Sequence, residues 1–247
     1  GFLLLNNVSD GIVVTLAAGS VTIDMNKTAT PSKDVRPDDN DVVIATIEML
    51  SSGENATITA IGTGGDTFYL SGTGADKDEI ENVELRDVDT GSVYDITHAS
   101  STTLTAPSST YIVLTLSDTI TLVKGVKKTF QLRVDLLGPS DTDGIDAADT
   151  LQATLKGTAF TITGDDSDTN LQSSITPTTV SSNSVTVKTS SLTWQTTALT
   201  NKTIVPGAKD IVIYSAGLET GASSAVTLTS VKISATSTTS ATAFDDA

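Results

Sequence analysis

Ser20-Val-Thr-Ile-Asp24, Arg36-Pro-Asp-Asp-Asn-Asp-Val-Val-Ile44 and Ala56-Thr-Ile-Thr-Ala-Ile61 recur later in the chain, in the same order. The second set is Ser191-Leu-Thr-Trp194, Val205-Pro-Gly-Ala-Lys-Asp-Ile-Val-Ile213 and Ala225-Val-Thr-Leu-Thr-Ser-Val231. Pro37 aligns with Pro206, Asp41 with Asp210, Val42-Val-Ile44 with Ile211-Val-Ile213, and Thr57-Ile-Thr59 with Thr227-Leu-Thr229. The offset stays near 170 residues and drifts by one or two. Matched blocks at a constant period mark a repeated structural unit. The reading is one complete unit over 20–188 and the opening of a second over 189–247. Ile12-Val-Val-Thr-Leu16 leads into Ser20 as Val185-Thr-Val187 leads into Ser191. Residues 1–19 therefore read as the last strand of a preceding unit, or as a donor strand. Two origins fit this organisation: a window from a longer array, or a subunit completed by neighbouring copies.

In the first and third blocks, apolar and polar residues alternate, the period of a half-buried strand. Val21-Thr-Ile-Asp-Met25 and Ala56-Thr-Ile-Thr-Ala-Ile61 alternate, and Val42–Leu50 is a nearly continuous apolar run, expected for a buried central strand. Further strands are expected at Phe68–Leu70, Asn82–Arg86, Val93–Ile96, Thr103–Thr105, Tyr111–Leu116, Thr119–Val123, Thr129–Leu136, Thr150–Leu155, Phe160–Ile162 and Val185–Val187. Turn formers separate them, among them Gly62-Thr-Gly-Gly65, Asp89-Thr-Gly91 and Gly164-Asp-Asp166. No stretch reads as a convincing helix, and the best candidate, Ala75–Val83, is short and acidic. Asn170–Asn183, rich in Ser and Thr, reads as an extended connector between units. The fold expected is all-β: Ig-like antiparallel β-sandwich units in tandem.

Ser and Thr exceed a quarter of the residues and aromatics are only 4%, so the strands carry a thin apolar face and a hydroxyl-rich face. There is no cysteine, which excludes disulfides and thiolate metal sites. The net charge of −16 disfavours nucleic acid, whose phosphates require Lys and Arg clusters. No apolar run is long enough for a transmembrane helix.

Little in the chain points to catalysis. His98 is the only histidine, and no Gly-x-Ser-x-Gly elbow, phosphate loop or dinucleotide fingerprint is present. No pair among the many carboxylates stands out for glycoside hydrolysis. The expectation is a non-enzymatic protein with a structural His98. Asp141-x-Asp143-Gly144-x-Asp146, with Asp149 just beyond, resembles a short calcium loop: oxygens at alternate positions converge on a hard cation and glycine permits the bend. The same spacing also suits an Asp-rich turn without metal. Asn7, Asn26, Asn55 and Asn201 each begin an N-x-Ser/Thr acceptor for N-glycosylation. Phe2, Leu3, Leu4 and Leu5 form a terminal apolar run, a candidate assembly contact.

Two further stretches carry a family resemblance. Ile80-Glu-Asn-Val-Glu-Leu-Arg-Asp-Val-Asp-Thr-Gly91 opens with the pattern I-x-N-V-x-L-x-D, and Tyr111–Leu116 with Thr119–Asp135 contains G-x-x-K-T-x-x-L-x-V over 125–134, with Asp135 directly after it, one place before the D of the pattern G-x-x-K-T-x-x-L-x-V-x-D. Both resemble β-sandwich repeats of large bacterial and archaeal cell-surface proteins, of the surface-layer and extracellular-filament type. The resemblance spans most of 20–155 and the opening of the next unit. It implies an extracellular, structural role in contact with other copies of the chain, and it assigns no catalytic residue. An adhesin or carbohydrate-binding stalk, and a virion surface protein, stay open beside it.

Overall fold

The computed structural model describes residues 19–101, 110–138, 141, 144–188, 192–200, 203, 205, 207–212, 214–220 and 227–232. The chain divides into two compact units, Gly1–Thr189 and Ser190–Ala247.

In the first unit the strands are β1 (Ser20–Met25), β2 (Lys33–Val35), β3 (Val42–Ser52), β4 (Ala56–Ile61), β5 (Phe68–Gly72), β6 (Ile80–Asp87), β7 (Val93–Asp95) and β8 (Thr97–Ser100). They continue as β9 (Thr110–Thr115), β10 (Ile120–Leu122), β11 (Lys127–Leu136), β12 (Thr150–Lys156), β13 (Phe160–Gly164), β14 (Ile175–Thr176), β15 (Thr179–Ser181) and β16 (Val185–Val187). Among the described residues one sheet runs β14-β1-β3-β11-β6-β7. A second runs β2-β16-β12-β5-β9-β8, with β15 also on β12, and a third is β10-β4-β13. The unit is thus an all-β, sandwich-like body. Its sheets enclose one apolar core in which Ile23, Ile47, Phe68, Leu85, Phe130 and Phe160 are buried. The alternation read from the sequence is visible as burial: β1 alternates exposed and buried at every residue.

Among the described residues no α-helix forms, as expected, and two other expectations are corrected. Ala75–Val83 holds only a single 3₁₀ turn, Lys77–Glu79, before the chain extends into β6. Asp76 and Glu79 form a capping box around that turn, while Ile80 and Val83 are claimed by the core. Asn170–Asn183 is no connector. Leu171, Ile175 and Val180 are buried, and the segment supplies β14 against β1 and β15 against β12. The sheets are also not wholly antiparallel: β1 pairs in parallel with β14, and β2 in parallel with β16. In each pair a late strand returns beside an early one in the same direction, which needs a crossover rather than a hairpin. The expected strand at Thr103–Thr105 lies outside the described residues.

The second unit contains β17 (Leu192–Thr196) and β18 (Ala216–Thr220), paired antiparallel with Leu192 opposite Thr220 and Trp194 opposite Leu218. In the first unit β1 pairs with β3 in the corresponding way, with Val21 opposite Ser51 and Ile23 opposite Met49. The matched partners are offset by 171 residues on the first strand and 169 on the second, as Ser20/Ser191 and Pro37/Pro206 are. The intervening turn also coincides. Asp39 N–H donates to Arg36 O at 3.3 Å, and Ala208 N–H donates to Val205 O at 3.2 Å. Positive φ occurs at Asp38 (69°) and Gly207 (83°), and at Asp41 and Asp210 (both 55°). Glycine takes such a φ without steric cost, and aspartate is among the few other residues that tolerate it. The two units differ at residues 211–212, which are not in a strand although they align with the start of β3. In the first unit Val42 and Val43 are held there by Val134 and Arg133 of β11. Among the described residues the second unit has no strand in that place.

Candidate functional site

The two motif-bearing strands, β6 and β11, lie side by side, and their polar motif residues meet at both ends. At one end Lys128 Nζ lies 2.8 Å from Asp87 Oδ2, with the Asp87 side chain fully buried. Asp87 Oδ1 also accepts the amides of Asp89 (2.9 Å) and Thr90 (3.1 Å), fixing the turn that ends at Gly91. Burial pushes the Asp87 carboxyl up, but Lys128 and these amides outweigh it and hold the group below the usual carboxylate range. At the other end Asn82 Nδ2 donates to Asp135 Oδ2 at 2.7 Å, and Asp41 N–H donates to Asp135 Oδ1 at 2.7 Å. These residues fasten strands and turns together.

Glu54 is a second polar hub, and sequence reading missed it. It accepts the amides of Gly19 (3.1 Å), Asp166 (2.9 Å) and Ser167 (2.9 Å) and the Ser167 hydroxyl (2.8 Å). The hydroxyl bond, supported by the amides, holds its carboxyl below the ordinary range against the opposing effect of burial. At Gly164 a Cβ would sit 2.4 Å from the Glu54 carboxylate, so a side chain there would displace that group. The only local signal was an acid beside the Gly164-Asp-Asp166 turn formers once the chain is folded, which no spacing reveals.

Of the candidate calcium-loop residues, the structure describes Asp141, Asp146 and Asp149. Asp141 is exposed and caps its own turn, accepting Gly138 N–H at 2.8 Å. Asp146 is exposed, and Asp149 is buried and accepts Asp146 N–H at 2.9 Å. Asp143 lies outside the described residues. No group of three or more His, Cys, Asp or Glu able to hold a metal ion occurs among the described residues. Glu79 accepts Asp76 N–H at 2.7 Å. Burial first, and then the charges of Asp76, Asp149 and Asp146, push the Glu79 carboxyl up to about 7. Burial, with Asp146 and Asp76, likewise raises Asp149.

His98 lines an open cleft of about 400 Å³ with Asn82, Val83, Glu84, Asp95 and Ile96. Its Nε2 lies 3.2 Å from the Lys77 carbonyl, which accepts from the ring and ties β8 to the 3₁₀ turn. Among the described residues the cleft lining offers no hydroxyl, thiol or amine nucleophile.

Of the glycosylation candidates, Asn26 is committed to the fold. Its Nδ2 donates to Glu48 Oε1 at 2.7 Å, and its Oδ1 accepts Thr28 N–H (3.1 Å) and Ala29 N–H (2.9 Å). Asn55 is exposed, and its Oδ1 accepts Lys124 N–H at 2.9 Å. Asn7, Asn201 and the terminal run Phe2–Leu5 lie outside the described residues.

The most distinctive surface belongs to the second unit. Every residue of β17 and β18 is exposed. Leu192, Trp194 and Leu218 occupy the positions of Val21, Ile23 and Met49, which are core residues in the first unit. Ile23 is 0% exposed, whereas Trp194 is 45% exposed. Trp194 stacks on Tyr214 at 6.3 Å and donates Nε1–H to its hydroxyl at 2.5 Å. On the opposite face Gln195 Nε2 donates to Glu219 Oε2 at 2.5 Å. The hairpin therefore has the amphipathic pattern of a sandwich strand pair without a sheet covering its apolar face among the described residues.

No protein-family model and no curated protein matches this chain. Among the described residues no helix is long and apolar enough to cross a membrane.

Proposed function

We propose that this chain is a structural building block of an extracellular assembly, a surface layer or filament made of tandem Ig-like β-sandwich units. Its principal partners are other copies of itself. The repeat comprises residues 20–188, with a second unit opening at 189–247 and residues 1–19 contributing a terminal or donor strand. One observation carries the reading. The hairpin at 192–220 repeats the strand register, turn hydrogen bond and positive-φ positions of 20–52, and it presents core-type residues on its surface. An apolar sheet face of this kind is a surface for association. The likeness of Ile80–Asp87 and Gly125–Asp135 to cell-surface repeats, and the acidic surface of a chain at −16, agree with that setting.

The test is self-association of the full chain. Light scattering against concentration, with electron microscopy of the same samples, is expected to give ordered contacts between identical copies. A monomer at every concentration that selectively binds glycans would overturn this reading in favour of an adhesin.

A further inference from the structure

We propose that Asn55, in the turn between β3 and β4, is a site of N-linked glycosylation, and that Asn26, the other acceptor asparagine among the described residues, is not. The proposal rests on the extracellular reading above and goes beyond it to a covalent modification of the surface. Asn55-Ala-Thr57 supplies the amide and the hydroxyl that the N-x-Ser/Thr acceptor requires. In this turn Gly53 has φ 89°, and the two residues after it part ways: Glu54 is buried, whereas Asn55 is exposed. Two bonds hold Asn55 in place. Asp165 N–H donates to its backbone carbonyl at 2.9 Å, and Lys124 N–H donates to its Oδ1 at 2.9 Å. A backbone amide can only donate, so Lys124 fixes which side-chain atom is the oxygen. The fold thus engages the oxygen of Asn55 and leaves Nδ2, the atom that carries a glycan, for the transferase.

Attachment joins Nδ2 to the anomeric carbon of a sugar carried on a lipid phosphate. The N–C bond forms as the bond from that carbon to the phosphate oxygen breaks. The phosphate leaves with the electron pair, and Nδ2 gives up one proton to a base of the transferase. The product is still an amide, so its oxygen keeps the bond from Lys124. Lys124, Asp165 and Asp166 around it are exposed, so a sugar on Asn55 stands in water. Ser52 lies opposite Ser20, which puts this turn at the end of the sheet where β1 begins. At Asn26 the same reaction would strike the fold. There Nδ2 donates to Glu48 Oε1 at 2.7 Å, while Oδ1 holds the amides of Thr28 and Ala29. The other oxygen of Glu48 pairs with Lys127 at 2.7 Å, so a sugar on Asn26 would intrude on a bond that ties β3 to β11.

The experiment secretes the full chain from a eukaryotic host, beside a reporter protein that the host glycosylates. The folded fraction is read by intact mass, and by peptide mass spectrometry after enzymatic glycan release in heavy-oxygen water, which labels each asparagine that carried a sugar. Occupancy at Asn55 is expected to exceed that at Asn26 several-fold. Asn55→Asp keeps an oxygen for the Lys124 amide and should lose one glycan mass. Thr57→Ala should lose the same glycan with Asn55 itself untouched. Thr57→Ser, which keeps both the acceptor sequence and the hydroxyl that donates to Asp165 Oδ1, should retain it. Circular dichroism checks that each variant keeps its fold. An unmodified Asn55 beside a modified reporter, equal or greater occupancy at Asn26, or a glycan mass unchanged by Asn55→Asp would overturn the proposal. Ordered assembly of a chain that stays unmodified at Asn55 would refute this site and leave the structural reading standing. A chain glycosylated at Asn55 that never assembles would do the reverse.

Discussion

Replacing Asp87 by alanine tests whether the clasp between β6 and β11 holds the first unit together. The substitution removes a fully buried carboxylate, leaves the partly buried Lys128 without its ion-pair partner, and takes the acceptor from two turn amides. Removing one member of a buried pair costs about 3–5 kcal/mol. Lys128 keeps access to water and lies 5.7 Å from the Phe130 ring centroid, so the expected loss is at the lower end, about 3 kcal/mol. Asp87→Asn retains an acceptor oxygen for the amides and should cost about 1–2 kcal/mol. Urea unfolding followed by far-UV circular dichroism measures both. With a slope of about 2 kcal/mol/M, the alanine variant's midpoint should fall by about 1.5 M. Adding Lys128→Met to the alanine variant should recover part of the loss, since no lone ammonium is then left beside the core. The pH dependence follows from the sign of the shift. The folded carboxyl is held below its unfolded value, so its contribution is present at neutral pH and is lost as pH falls through the folded pKa. The gap between wild type and Asp87→Asn should therefore narrow in acid. A loss under about 1 kcal/mol for the alanine variant, or a gap that widens in acid, would refute the assignment of the clasp.

Two other predictions concern strain and protonation. Gly72→Ala would place a Cβ 1.6 Å from the Thr150 carbonyl oxygen and should cost about 3 kcal/mol or more, whereas Gly91→Ala, at φ 73° with open space around it, should cost about 1 kcal/mol. Denaturant midpoints that rank the two the other way would contradict the packing of β5 on β12. Glu79 is raised to about 7, so the folded state keeps a proton that the unfolded chain has already lost, and stability falls as pH rises from the ordinary carboxylate range to about 7. Glu79→Gln should gain on wild type by about 1 kcal/mol between pH 5 and pH 8, after allowance for solvent screening. Parallel melting curves at the two pH values would expose the error if the difference stayed constant.

Strands with a strong period were legible in the sequence. The continuous run in β3 identified a central strand, and it lies between β1 and β11. The segment 170–183 was misread because its three apolar anchors, Leu171, Ile175 and Val180, are spread through Ser and Thr, and its short strands borrow order from β1 and β12. The repeat also led to the exposed hairpin, since the alignment names the core positions that Leu192, Trp194 and Leu218 fill. It overestimated the second strand: residues 211–212, aligned with the start of β3, are not in a strand. The polar network was not legible. Glu54 meets Ser167 across 113 residues, and a carboxylate held by amides has no local pattern. Asp spacing cannot separate turn capping from coordination, and Asp141 and Asp149 each accept an amide three residues away.

The parallel pairs β1/β14 and β2/β16 decide how the first unit answers a mechanical pull. Each joins a strand from the start of the unit to one from its end, running in the same direction. Tension applied before residue 20 and after residue 188 draws such partners past one another along their length. Hydrogen bonds in that geometry share the force and yield together, whereas an antiparallel hairpin pulled from its open end peels one bond at a time. A unit wired in this way stretches little until the whole seam slips, and in a tandem array each unit would act as a stiff link under load.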